Sequence, residues 1–572
     1  MHTLAPNLAP RSRWPLVFVL SCLAGACSSS EGDRDGRADD AGTPEPGDSG
    51  SAGAGGSAAA GTGGRGSSTG GRDAPGDAGA AGGGGADGAG AGGGGAPAPS
   101  DLDSVVVVHL VPADGISGAQ RVNFAVPLAP GELHDATQVR VLHQAQELPA
   151  ARRALASHGD DSARSVQIQI DLDVTGETDL EIRLGEAPTA AALTMEPVAS
   201  TLVAEDGEQG PRVWALLPAT RLSHSGVAGP LVPEADVAAE PAAAWASLCD
   251  YDTWDTEEFL ASGYETDRAV WLFDRGTALY RGHARRGDLS SLQSAYVETS
   301  MYRNRITGTG MAARNGVPPD GAEDVKYTYA QNLALHYLLT GDDRFRESAE
   351  DMALALSVLW SDPGYDGGAD FWTERHAGFG LLGFVWAMIV SDDQSAAFRT
   401  LADEAVSAYL DVQASYPPEY SDEDARCFAH TGEAHGEGGA YFGCSPWMSA
   451  ILGDGLEQYA RESDASRAAE VRASLVQLGR IIAERGIQPD GRPYYFMGVG
   501  TDQNMLDEYD EHIGESAYLI AMAWHFAGRT DSALRAAADA LVELMATDGT
   551  VPHVRSFNWQ CRSAVAAPWF LQ

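Results

Sequence analysis

Asp324–Trp360 reads DVKYTYAQNLALHYLLTGDDRFRESAEDMALALSVLW. Apolar residues recur along it at i, i+3, i+4 and i+7, the spacing that lines one face of a helix. The run breaks once, at Thr340-Gly341-Asp342. Glycine suits the end of one helix there, and the aspartate caps the start of the next. The stretch therefore predicts two helices folded into a hairpin. The pattern extends both ways, through Asp267–Arg285 and Leu289–Ile306 before it, then Arg375–Val390 and Ala397–Ala414, Trp447–Glu462 and Ala465–Arg485, and Glu511–Phe526 and Ser532–Ala546 after it. Ten helices in five hairpins result.

The remaining hairpin junctions are Arg286-Gly287-Asp288, Ser391-Asp392-Asp393, Glu462-Ser463-Asp464 and Arg529-Thr530-Asp531. They repeat that turn chemistry, although the irregular spacing marks a structural rather than a sequence repeat. Connections at the other end are long and rich in polar and aromatic residues: Thr307–Glu323, Ser361–Glu374, Ser415–Pro446 and Gly486–Asp510. Short turns at one end and long loops at the other predict an (α/α) toroid of five to six hairpins over residues 244–572. An open helical solenoid is the alternative. The long loops gather over the N-terminal ends of the inner helices, where a functional site is expected.

Before the helices, residues 101–243 change period. Ser104–Val111, Gln120–Pro127, Thr137–His143, Arg164–Asp173, Thr178–Gly185 and Arg212–Pro218 read as strands punctuated by Gly, Asp and Pro. A β-sandwich or small barrel is expected, giving a multidomain β + α chain. Residues 27–100 cannot fold alone: 21 of the 50 residues from Ser51 to Ser100 are Gly, leaving too little apolar surface to offset the entropy of ordering. Residues 1–26 read as a signal peptide, with Arg11 and Arg13 before an apolar run too short to span a bilayer. Leu23-Ala24-Gly25-Ala26-Cys27 resembles a bacterial lipoprotein cleavage box, which makes Cys27 the lipidated residue of an outer-membrane lipoprotein. Cys22 is a rival, and an ordinary cleaved signal peptide is the plainer alternative.

The chain holds 38 Lys+Arg against 81 Asp+Glu, a net charge of −43. That argues against nucleic acid as a partner, since phosphate binding needs clustered positive charge. Export would allow Cys427–Cys444 and Cys249–Cys561 to form disulfides, with four buried thiols as the alternative. The cysteines lack the paired spacing of a zinc site. Nothing in the chain requires a cofactor, and a Ca2+ requirement is left open.

Two resemblances follow from these segments. Gln120–Gly131, Val139-Arg-Val-Leu142, Glu147-Leu-Pro149 and Asp160–Val166 resemble the N-terminal β-domain of exo-acting rhamnogalacturonan lyases, with Ala125 where that family has glycine. The helical part is similar in architecture to the (α/α) toroids of polysaccharide lyases and glycoside hydrolases. Neither resemblance carries over a catalytic residue.

Candidate site residues come from the long loops. Lys326 is the only lysine of the chain, and unlike arginine it is a titratable charge. It stands beside Tyr329, with a surface remnant as its plain reading. His430–Tyr441, leading to Trp447, brings His435, Glu437 and Tyr441, groups suited to proton transfer. His430, Glu433 and His435 offer metal ligands at a spacing that matches no strong motif. In Asp507–Glu515, Glu511 and Glu515 share a helix face, with His512 beside them. Arg375 and His376 open another helix, where arginine can grip a carboxylate in two-pronged fashion or make a core salt bridge. Trp372 can stack on a sugar. Arg555–Arg562 reads as a structural closure.

A polysaccharide lyase fits this set. β-Elimination needs a uronate carboxylate neutralised, by Arg375 or Lys326, and a base, His435 or His376. Tyr441 would serve as the acid. The alternative is a glycoside hydrolase pairing Glu437 with Asp510, Glu511 or Glu515. A non-catalytic glycan-binding lipoprotein is the third reading. A monomer acting on an acidic or neutral polysaccharide is expected.

Overall fold

The structure, a computed structural model, describes residues 104–237, 245, 249–263, 270–317, 323–361, 372–415, 417, 426–435, 441–507, 512–549 and 554–572. The expected signal peptide, the lipidated Cys27 and the 27–100 linker lie outside them, as do Glu437, Asp510, Glu511 and the side chain of His435.

An antiparallel sheet region comes first and a helical region follows, within one compact unit. Strands β1 (Val105–Pro112), β2 (Gly118–Pro127), β3 (Val139–His143), β4 (Gln146–Glu147), β5 (Ala150–Ser157), β6 (Ala163–Val174), β7 (Thr178–Leu184) and β8 (Val213–Leu216) form two sheets, ordered β4-β3-β7-β1-β8 and β2-β6-β5. Strand β5 was not anticipated. Its sequence AARRALAS has no β-branched residue, and its conformation is set by antiparallel pairing with β6 from Ala150↔Ile170 to Ser157↔Ala163. Strand β6 is buried on both faces in its middle. Val166, Ile168 and Ile170 point one way into the apolar core, while Ser165, Gln167 and Gln169 point the other way.

That polar face meets the helices. Asn123 Nδ2 donates to the Thr340 carbonyl at 2.8 Å, Arg153 pairs with Asp343 at 2.9 Å, and Arg164 pairs with Glu462. Gly341, at φ +73°, ends its helix against the Gln167 side chain, where a Cβ would collide.

The ten expected helices are present as α1 (Arg275–Arg286), α2 (Leu289–Asn304), α3 (Gln331–Thr340), α4 (Asp343–Leu359), α5 (Glu374–Val390), α6 (Ser395–Ser415), α7 (Pro446–Arg461), α8 (Ala465–Arg485), α9 (Ile513–Phe526) and α10 (Ser532–Asp548). A further helix, α11 (Val554–Arg562), follows; the remaining α-helices, such as Ala219–Ser225 and Thr256–Ala261, are short. Asp288, Asp342, Asp464 and Asp531 accept backbone N–H groups at the starts of α2, α4, α8 and α10, as their capping role requires. The odd-numbered helices pack in order, α1 on α3, α3 on α5, α5 on α7, α7 on α9 and α9 on α11; α11 packs back on α1. Each even-numbered helix packs on the odd one before it. Every residue of α5 is buried, the mark of a helix enclosed on all sides. Gly378 lets α5 approach α7 closely, since a Cβ there would lie 2.6 Å from the Leu452 nitrogen.

Both expected disulfides form. Cys249–Cys561 spans Cα atoms 5.7 Å apart and Cys427–Cys444 spans 6.3 Å. The loops also carry strands that were not anticipated, β9 (His430–Thr431), β10 (Phe442–Cys444), β11 (Tyr494–Gly498) and β12 (Asn504–Leu506), in one sheet.

Candidate active site

The N-terminal ends of α5, α7, α9 and α11 converge, away from the ends covered by β2, β5 and β6. Thr373 caps α5, its hydroxyl accepting the His376 N–H. The Glu374 carboxylate turns inward: it accepts from the Ser445 N–H at 2.9 Å and the Ser449 hydroxyl at 3.3 Å, and lies 3.0 Å from His430 Nδ1. That ties the start of α5 to the start of α7, where Pro446 occupies the first turn.

Arg375 is therefore left without its neighbouring acid. Its guanidinium carbon lies 5.9 Å from the Phe273 ring centre and 5.7 Å from that of Trp447. Arg375 is 8% exposed and makes no hydrogen bond or ion pair among the described residues. Its Nε is buried without an acceptor. Three other buried arginines have acidic partners: Arg275 sits on Glu298 at 2.6 Å, and Asp454 receives Arg281 at 2.9 Å and Arg562 at 3.1 Å. A buried cation without a counter-charge is costly, and among the described residues Arg375 has none.

Rings surround it. Trp447 and Trp559 lie 5.6 Å apart at 21°, and His512 is 4.5 Å from each, at 7° and 18°. His512 Nδ1 lies 3.5 Å from Glu515 Oε1, one helical turn on. Its Nε2 makes no hydrogen bond among the described residues. Burial raises the Glu515 pKa, with His512 pulling the other way. A base whose second nitrogen faces a buried carboxyl is oriented for proton transfer.

His376 is placed differently. Nδ1 meets the Thr373 hydroxyl at 2.6 Å and Nε2 lies 3.6 Å from Asp324, so both ring nitrogens are engaged within the protein. Burial lowers its pKa to about 4, against the opposing pull of Asp324. Asp324 in turn is pushed up by burial but ends far below the usual carboxylate range, held there by His376 and Lys326. Lys326 Nζ is 3.4 Å from it; the two form a local ion pair.

Phe273 and Asp274, leading into α1, both have left-handed backbones, at φ 75° and 53°. That is rare for a bulky aromatic residue. Here it places the Phe273 ring against Trp559, Trp447 and Phe379 and beneath Arg375.

Among the other expected residues, Tyr441 is partly exposed, 5.8 Å from the Phe496 ring, and burial raises its pKa. Tyr329 is buried and donates to the Trp271 carbonyl at 2.8 Å. Trp372 is 1% exposed and packs on Tyr409. His430 is fully buried on Glu374. Trp559 and Arg555 had been read as closure alone; Arg555 lies 4.8 Å over the Trp559 ring. The clue available in the sequence was the spacing of the two on one helical face. Among the described residues, Glu350, Asp392 and Asp393 bring three acids together. They lie near the far end of α5, and the Arg346 guanidinium already pairs with Asp392 there.

No protein-family model matches the chain, and no curated protein sequence matches it. Solved structures similar to it include a "Polysaccharide Lyase BACCELL_00875" and a "Glycosyl hydrolase family 88 from Bacteroides vulgatus". Each is 11% identical with a TM-score of 0.38 over 57% of this chain, covering 97% of the first and 99% of the second. A likeness of that size fixes no reaction.

Proposed function

We propose that the protein is a polysaccharide lyase that cleaves a uronic-acid-containing glycan by β-elimination. The observation that carries this reading is Arg375, buried, without a counter-ion among the described residues and set against indole and phenyl faces. A uronate supplies what is missing there, a carboxylate for the guanidinium and a sugar face for the rings.

In this mechanism Arg375 binds the carboxylate and stabilises the charge that develops on it. His512 Nε2 removes the proton from C5, the carbon beside the carboxylate, with Glu515 orienting the ring. The C5–H electron pair forms the C4=C5 double bond as the C4–O bond breaks. Tyr441, a phenol protonated at neutral pH and shifted further upward by burial, gives its proton to the leaving oxygen. His376 faces Asp324, which pairs in turn with Lys326, and takes no part in the proton transfer.

The cyclic packing order of α1, α3, α5, α7, α9 and α11 supports an (α/α) toroid as the frame. The two disulfides support an oxidising, extracytoplasmic location, consistent with a lipoprotein anchored through Cys27. The alternative, a glycoside hydrolase, is favoured by Glu515, whose raised pKa suits a general acid.

The test is to incubate the purified protein with polyuronides and neutral glycans, following ultraviolet absorbance and new reducing ends together. Rising absorbance with new ends indicates an unsaturated uronate and hence a lyase. New ends without absorbance indicate hydrolysis and overturn the elimination. Neither signal, with glycan still bound, favours a non-catalytic binding protein.

A further inference from the structure

A second cation stands in the same chain of rings. Arg555, in the first turn of α11, is partly buried, with its guanidinium carbon 4.8 Å over Trp559. Its Nε is buried without an acceptor, and it makes no hydrogen bond or ion pair among the described residues. Trp559 adds another donor: the residue is 8% exposed, and its Nε1 is buried with no partner. Donors grouped without acceptors are costly unless a ligand supplies them.

The order matters. Arg375 lies on Trp447, Arg555 lies on Trp559, the two indoles are neighbours, and His512 touches both. The base is thus flanked by one cation on the Trp447 side and another on the Trp559 side. Elimination breaks the link between two sugars, so the groups on either side of the base belong to adjacent subsites.

Resting on the lyase reading, we infer that Arg555 binds a second anionic group, carried by the sugar adjoining the uronate that Arg375 holds. The preferred substrate then has acidic sugars on both sides of the scissile bond, the second charge being a carboxylate or a sulfate. A polymer alternating uronate with uncharged sugar would bind more weakly.

The test measures binding by calorimetry for the full chain and for Arg555→Gln and Arg375→Gln. The probes are trigalacturonate, trimannuronate, triguluronate, and chondroitin tetrasaccharide with and without sulfate. Arg555→Gln is expected to weaken the best-bound triuronate or the sulfated tetrasaccharide about 10–100-fold and to leave unsulfated chondroitin within twofold. Triuronate loss identifies a carboxylate as the second group, and loss confined to the sulfated probe identifies a sulfate. Arg375→Gln should weaken every acidic probe. Equal affinity of Arg555→Gln and wild type for all probes overturns the inference while sparing the lyase reading, as does an equal loss for sulfated and unsulfated chondroitin. If the wild type binds no acidic probe, the uronate reading fails and the inference with it. An unchanged melting temperature for Arg555→Gln shows that its effect is local.

Discussion

Replacing Arg375 by methionine separates a binding cation from a structural one. Methionine keeps an unbranched apolar stem against Phe273 and Trp447 while removing the charge. Burying an ion costs several kcal/mol, and two cation–π contacts return about 0.5–2 kcal/mol each. With no carboxylate to strand, the variant should be more stable by about 1–3 kcal/mol, a rise in Tm of about 1–3 °C for a body this large. The loss of a two-pronged, charge-assisted contact should cost about 3–4 kcal/mol of transition-state binding, roughly 10²–10³-fold in kcat/KM. Thermal melting paired with the ultraviolet assay on an acidic glycan measures both. Arg375→Met melting several degrees lower, or turning over acidic glycan like the wild type, would refute the argument, because either result gives Arg375 a structural partner or no role in substrate binding.

Glu515→Gln keeps the side chain's shape but removes the carboxylate facing His512. The expected outcome is a kcat about 10²-fold lower with KM little changed, and an unchanged KM-to-kcat split would show that Glu515 does not act through His512. For stability against pH, burial lowers His283 and His376 to about 4 from an unfolded value near 6.5. Their neutral forms stabilise the fold fully above about pH 6.5, and that contribution, about 3 kcal/mol each, is lost as pH falls towards 4. Glu515, shifted upward, works in the opposite direction, so the Glu515→Gln background should show the steeper fall in Tm. Glu298→Gln should cost about 3–5 kcal/mol in denaturant unfolding, because it weakens the partner of Arg275 where each residue is 1% exposed.

The helical hairpins were legible because two independent signals coincide, the 3.6-residue period and an Asp cap after each short turn. Strand β5 was not, since alanines and arginines favour a helix until β6 supplies a pairing edge. The strands β9 to β12 run two to five residues, too short for any period to register. In the site, His512 and Glu515 could be found from their spacing of three, whereas the fate of Arg375 depended on where Glu374 turned. Glu374 faces Ser445 and Ser449, more than 70 residues away along the chain, and local sequence holds no sign of that. Trp559 and Arg555 reach the site only through the packing of α11 on α1.

That packing also sets when the candidate site can be complete. Cys561 bonds to Cys249 across 312 residues, and Asn558 donates to the Val270 carbonyl at 2.6 Å. As the chain emerges from a ribosome or an export channel, α1 to α10 can form while the indole of Trp559 and the charge of Arg555 are still missing. Phe273 and Tyr251 meanwhile await Trp559 and Phe557, exposing apolar surface of the kind that holding chaperones recognise. The ring cluster is therefore closed only once α11 has been made, and a copy stopped before α11 would carry every residue of the Arg375 pocket save its closing wall.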